Sequence, residues 1–404
     1  MLFIRLQYGH VRIDLVSARG GLASHVSARD SHGTIMGEPR VTETPGNLVA
    51  QVLLGSWRQT PPELDFTAED LDAVTAQLLG SGAAGLGWRR ISGTPLRTSP
   101  AGVKLQQAYR LQSLYAGLHE EEIEQVIELL RASAVVPLLI KGRAAAEFYP
   151  ERGLRPYGDI DLCFESRNYA KALDVLASPE AIPFNVDPHK GLEQVYGLSL
   201  SELLAHSRTM KVGNVEVRVP CFEDHLHILC IHFLKHGGWR PLSLCDVAAA
   251  LESRPESVDW DRCLGRNKRR ADWVACTIGL AYQLLGAKVE GTPVAQRAAH
   301  LPRWLLPAVV KQWETPYPQS NETTELMIVH LKKRAGVIRE IGKRWPNPIR
   351  ATVYFRARFN ELPRLPFQVL TFVSQAARFL AGLPRALGNQ QRDGERTHSI
   401  VTPN

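Results

Sequence analysis

No uninterrupted apolar run of about 18 residues or more occurs in the chain, so the sequence offers no convincing membrane-crossing helix. Cysteine pairing is missing too. The six cysteines, Cys163, Cys221, Cys230, Cys245, Cys263 and Cys276, stand without a Cys-x-x-Cys pair, which argues against a zinc ribbon and a disulfide scaffold. Reduced thiols of a cytoplasmic protein are expected. The start, Met1 to Tyr8, has a short apolar run but no long apolar core or small-residue cleavage site behind it, so secretion is not expected. No internal repeat is visible. An adjacent His-Asp doublet is also lacking, which removes phosphohydrolases of the His-Asp type.

What is present is ordinary for a globular protein, at 44% hydrophobic and 22% charged residues. A length of 404 residues allows two or more domains. The formal net charge of +7, with much of the excess late in the chain, permits an anionic partner such as nucleotide, nucleic acid or lipid headgroup and selects none.

Residues 1–44 are rich in Gly, Ser, Arg and His without a sustained period, and are expected to be disordered or to precede the true start of the domain. Residues 45–133 read as a helical N-terminal domain. Leu48, Val49, Val52, Leu53 and Trp57 share one helical face, Thr67 with Asp70 announces a second helix, and a long helical pattern runs from Lys104 to Ser133. Residues 134–220 alternate short apolar runs with helical pieces, ending in Lys211 to Pro220, a two-strand hairpin or a bulged strand with Val215, Val217 and Val219 inward. Helices resume over 221–300. Residues 301–404 form a basic, proline-punctuated extension whose end is expected to be disordered.

The chemistry concentrates in the third of these regions. Val135-Val-Pro-Leu-Leu-Ile-Lys-Gly-Arg143 is an apolar run broken at a glycine. Leu154-Arg-Pro-Tyr-Gly-Asp-Ile-Asp-Leu-Cys-Phe164 is a second run that carries two aspartates. Side chains alternate across a strand, so Asp159 and Asp161 share one face with Cα atoms about 6.5–7 Å apart, near enough for both to reach shared divalent ions. Ile160 and Leu162 then anchor the opposite face. Asp187, in Ile182 to Lys190, is placed on a third strand, ahead of Glu216 as a further carboxylate because Glu216 lies on the outward face of a simple alternating strand. His189 falls on the same face as Asp187 and reads equally as a substrate contact or as a structural histidine. Arg155 offers its fork to a phosphate or to the aspartates themselves.

The order Leu-Ile-Lys-Gly, a helix with Phe148-Tyr149, Leu-Arg-Pro-Tyr-Gly-Asp-Ile-Asp-Leu, and Val186-Asp-Pro-His189 resembles the uncharacterised nucleotidyltransferase family of the DNA polymerase beta-like superfamily. The similarity continues through Val219-Pro, Leu229 to His236, Leu244-Cys-Asp-Val247 and Asp259-Trp-Asp261, covering residues 45 to 290. It implies an α+β fold, a small mixed nucleotidyltransferase sheet flanked by N-terminal and C-terminal helical domains. By position, Asp159 and Asp161 become the ligands of two Mg2+ or Mn2+ ions, and Asp187 the third catalytic carboxylate. Lys141, Gly142, Arg143 and Arg155 become the nucleotide-binding residues. The turn reads Lys141-Gly142-Arg143 where the superfamily usually has Gly-Ser or Gly-Gly, which puts charge in place of a hydroxyl.

The implied reaction moves a nucleoside monophosphate from a nucleoside triphosphate to a hydroxyl acceptor, whether sugar, small molecule, protein or RNA, with release of pyrophosphate. The alternative is an inactive module of the same fold acting through a protein or nucleic-acid partner. His225, His232 and His236 fall on one helical face but span about three turns, too far for one ion. His232 and His236 are therefore read as substrate contacts beside the nucleotide or as packing residues. The clusters Lys268-Arg-Arg270 and Lys332-Lys-Arg334 are solvated faces open to nucleic acid. The amphipathic stretch from Phe367 to Leu380 suits core packing or a partner interface better than a membrane surface.

Overall fold

The long helical pattern read from Lys104 to Ser133 forms, in the computed structural model, a helix from Pro100 to Ala132. The structure describes residues 44–316 and 345–377. The expectations for residues 1–43, for Lys332-Lys-Arg334 and for the last residues of the chain lie outside the described residues. Two compact units emerge, one from residues up to Val52 and from Ser56 to Cys221, the other from Leu53–Gly55 and from Phe222 onward.

The first unit opens with helices α1 (Pro45–Leu53), α2 (Ala68–Ser81), α3 (Ala84–Ile91) and α4 (Pro100–Ala132). The capping box read at Thr67 is present: its hydroxyl accepts from the Asp70 amide while the Asp70 carboxylate accepts from the Thr67 amide. Ser99 caps α4 with Pro100 at its first position, where a missing N–H costs nothing. At the other end α4 closes in a Schellman motif, with Val135 N–H donating to Leu130 C=O and Ala134 N–H to Arg131 C=O. Ala134 takes φ 52°, and the chain turns directly into the sheet.

Five strands follow: β1 (Leu138–Leu139), β2 (Ile160–Phe164), β3 (Val186–Lys190), β4 (Arg208–Val212) and β5 (Val215–Val219). Their spatial order is β3-β2-β1-β5-β4. β1 runs antiparallel to β2 and parallel to β5, β2 runs parallel to β3, and β4–β5 is the hairpin that was one of the two readings of Lys211 to Pro220. This is the small mixed sheet with helical flanks that the sequence implied.

One face of the sheet is the core. Ile160, Leu162 and Phe164 of β2 join Leu139, Val217 and Val219 against Ile123, Val126, Ile127 and Leu130 of α4. Each such side chain contributes about 1.5–3 kcal/mol on burial. A one-residue slip of β2 would turn all three of its core residues onto the polar face and drive Asp161 into the apolar layer, so the packing fixes which way Asp161 faces. Short helices α5 (Arg143–Ala146), α6 (Ser166–Leu176), α7 (Glu193–Tyr196) and α8 (Leu200–Ala205) connect the strands.

The second unit is helical among the described residues: α9 (Phe222–Lys235), α10 (Pro241–Glu252), α11 (Trp260–Leu264), α12 (Lys268–Leu285), α13 (Ala295–Ala299), α14 (Leu305–Trp313) and α15 (Pro348–Tyr354). Residues 365–377 are also helical and leave Leu365, Val369, Leu370 and Val373 exposed. No helix among the described residues is long and apolar enough to cross a membrane.

Candidate functional site

The site is built on the face of the sheet opposite the core. β2 and β3 are in parallel register, with Asp161 beside Asp187 and Cys163 beside His189. Because side chains alternate, these four residues share one face. His189 leans back along the strands, and its Nε2 stands 3.0 Å from Asp161 Oδ1 and 3.3 Å from Asp187 Oδ2. Asp161, Asp187 and His189 each bring one ligand atom into a group within 4.8 Å, and two carboxylates with an imidazole are a donor set that fits a divalent ion. It is the sole such group among the described residues.

Lys141 enters from the other side. β1 lies antiparallel to β2, the Ile140 amide donates to the Asp161 carbonyl, and the next residue reaches Asp161 Oδ1 with its Nζ at 2.5 Å. Burial works against the Asp161 carboxylate, but the His189 hydrogen bond and the Lys141 ammonium prevail and hold its pKa below the ordinary carboxylate value. Burial likewise disfavours the Lys141 ammonium. The Asp161 charge, with Tyr196 and Asp159, holds the lysine above its usual value.

Gly142 then makes the turn at φ 59° and ψ −114°, a conformation open in practice to glycine alone. A Cβ at this position would lie 3.3 Å from the Asp159 carbonyl, so the turn packs directly on the approach to β2. The glycine turn and the acidic strand, distant in sequence, are thereby one structural piece.

The other residues singled out from the sequence are distributed as follows. Asp159 lies exposed, one residue before β2 and outside the converging group, though its charge acts on Lys141. Arg143 is held by Glu120 of α4, Nε to Oε1 at 2.7 Å. Arg155 is buried in the segment before Asp159, its Nη1 donating to the Pro156 carbonyl at 3.4 Å. Glu216 is exposed on β5 in the hairpin and takes no part in the cluster. His232 on α9 and His236 in the turn just after it, with rings 4.5 Å apart, belong to the second unit.

One participant went unread. Tyr196, at the end of α7, is buried and interacts electrostatically with Lys141, Asp161 and Asp187; burial raises its pKa, against the pull of Lys141. No spacing or motif points to it, because a four-residue helix carries no period and the contact depends on how the chain returns after β3. Cys163 shares the site's face, yet burial pushes its thiol up to about 12, so it acts as a filler and not as a nucleophile.

A family model described as "Uncharacterised nucleotidyltransferase" matches residues 67–189 and 179–284, together more than half of the chain. The chain belongs to this uncharacterised nucleotidyltransferase family. The first match carries Lys141, Gly142, Asp159, Asp161, Asp187 and His189, and the second reaches from β3 through the helices of the second unit as far as α12. No curated protein and no solved structure matches the chain. Membership in the nucleotidyltransferase family thus rests on both matches, the first of which includes the glycine turn and the carboxylates.

Proposed function

We propose that the protein is a metal-dependent nucleotidyltransferase that moves a nucleoside monophosphate from a nucleoside triphosphate to a hydroxyl acceptor. The observation that carries this reading is the convergence of Asp161, Asp187 and His189 beside the Lys141-Gly142 turn, in a chain of this family. The acceptor oxygen attacks the α-phosphorus in line with the bond to the β-phosphate. That bond breaks as the new one forms, and pyrophosphate leaves. Asp161, with Asp159 at the exposed edge of the site, would hold divalent ions that would neutralise the triphosphate and stabilise the attacking and leaving oxygens.

The protein's own groups do the rest. Asp187, whose side chain is 54% exposed at the edge of the cluster, takes the proton of the acceptor hydroxyl. Lys141 presents its ammonium to the phosphate oxygens, and Gly142, without a Cβ, lets backbone approach them. Arg143, bound to Glu120, braces the turn against α4, and the guanidinium of Arg155, in the segment before Asp159, adds positive charge for the phosphates. The test is release of pyrophosphate from radiolabelled triphosphates across a broad acceptor panel with Mg2+ or Mn2+. Wild type should transfer label, and Asp159→Asn and Asp161→Asn should each abolish it. Transfer that survives both substitutions would exclude the mechanism.

A second reading draws on the Lys141–Asp161 ion pair. An ammonium already neutralises the buried carboxylate, as expected of a module that keeps the fold and binds a partner without catalysis. Such a module gives no stabilisation by triphosphate plus metal and forms a stable complex with its partner.

A further inference from the structure

The carboxylates of the site have an unusual companion. His189 Nε2 meets oxygens of two different side chains, Asp161 Oδ1 at 3.0 Å and Asp187 Oδ2 at 3.3 Å. A single N–H satisfies one acceptor well, so a purely structural histidine would point its ring nitrogen at one carboxylate and its other nitrogen elsewhere. Here one nitrogen and two carboxylate oxygens lie within 4.8 Å of one another, close enough together for a single ion to take all three as ligands. All three side chains are carried by adjacent parallel strands in fixed register, and Asp161 is only 3% exposed, so the arrangement is rigid.

We propose that His189 is a direct nitrogen ligand of a divalent ion held with Asp161 and Asp187, and that it makes this position favour Mn2+, Co2+ or Zn2+ over Mg2+. This rests on the reading of the site as a metal-nucleotide centre. Mg2+ takes oxygen ligands in a strict octahedron and keeps its waters, whereas imidazole adds affinity for first-row transition ions in the Irving–Williams order. With Nε2 facing the ion, the ring proton resides on Nδ1.

Lys141 completes the argument. Its Nζ occupies the Asp161 Oδ1 lone pair at 2.5 Å, where an ion bound by Asp161 would compete. An ion bound there would displace the lysine from Asp161 and leave its ammonium for the triphosphate. The site thus exchanges an internal cation for a metal and a phosphate-binding group together.

The experiment uses the full chain stripped with a chelator, titrated with Mn2+ in the absence of nucleotide and followed by electron spin-echo modulation. Wild type should bind Mn2+ and show coupling to a directly bonded nitrogen-14, replaced by nitrogen-15 coupling when histidine alone is isotopically labelled. His189→Gln, which keeps a polar side chain on the exposed edge strand, should lose the coupling. It should also weaken Mn2+ by at least about tenfold, the lower end of what loss of even an outer-shell partner costs, with a smaller change for Mg2+. Bound Mn2+ without nitrogen coupling, or coupling that persists in His189→Gln, would overturn the assignment of His189 and leave the nucleotidyltransferase reading standing. No Mn2+ binding with or without triphosphate would overturn both.

Discussion

Asp161 is the residue on which the account turns, because it is buried, charged and shared by Lys141 and His189. Removing its charge leaves a buried ammonium without its partner, a loss of about 3 kcal/mol. Asp161→Asn should therefore lower unfolding stability by that order in denaturant titrations. Adding Lys141→Met should restore about 1–2 kcal/mol relative to the sum of the single changes. Additive single and double variants would mean that the pair is not coupled in solution. The same contact predicts a pH dependence. The folded-state pKa of Asp161 is depressed, so its stabilisation is complete above the ordinary carboxylate value and is lost as pH falls through the folded-state value. The deficit of Asp161→Asn against wild type should shrink steadily as pH falls from about 5 through the folded-state value. A deficit that stays constant over this range would contradict the assignment of the charge to Asp161.

At the scale of elements, the C-terminus of α4 is held by an alanine where the left-handed position of a Schellman motif favours glycine. Ala134→Gly relieves that conformation, and because Leu130 and Val135 on either side are both buried in the core, the motif itself stays in place. A gain of about 1 kcal/mol is expected in thermal or chemical unfolding. A loss would mean that the added freedom of the unfolded chain outweighs the relieved strain. The elements that were legible from residues alone are those whose own periods are strong: α2 with its Thr67 box, α4, the β4–β5 alternation and α9. The acidic strand was legible for the same reason, since Ile160 and Leu162 fix its facing. What escaped depends on pairing across the sheet. That Asp161, and not Asp159, stands beside Asp187 follows from the β2–β3 register, which no local pattern encodes. Tyr196 was invisible on the same grounds, and so was Glu120 as the partner of Arg143, far off in sequence.

For the whole molecule, the family match runs across both compact units, so the helices that follow the sheet belong to the same inherited design as the carboxylates. The central claim is that this design binds a triphosphate through metal and Asp161. A ligand at about a hundred times its Kd stabilises a protein by about 2.7 kcal/mol, enough to raise Tm by about 2 °C or more. Thermal unfolding of the full chain with a non-hydrolysable nucleoside triphosphate, with and without Mn2+, therefore tests the claim without knowledge of the acceptor. The account predicts a rise in Tm for at least one of the common triphosphates that needs both nucleotide and ion and vanishes in Asp161→Asn. An equal rise in Asp161→Asn, or none with any triphosphate, would contradict it.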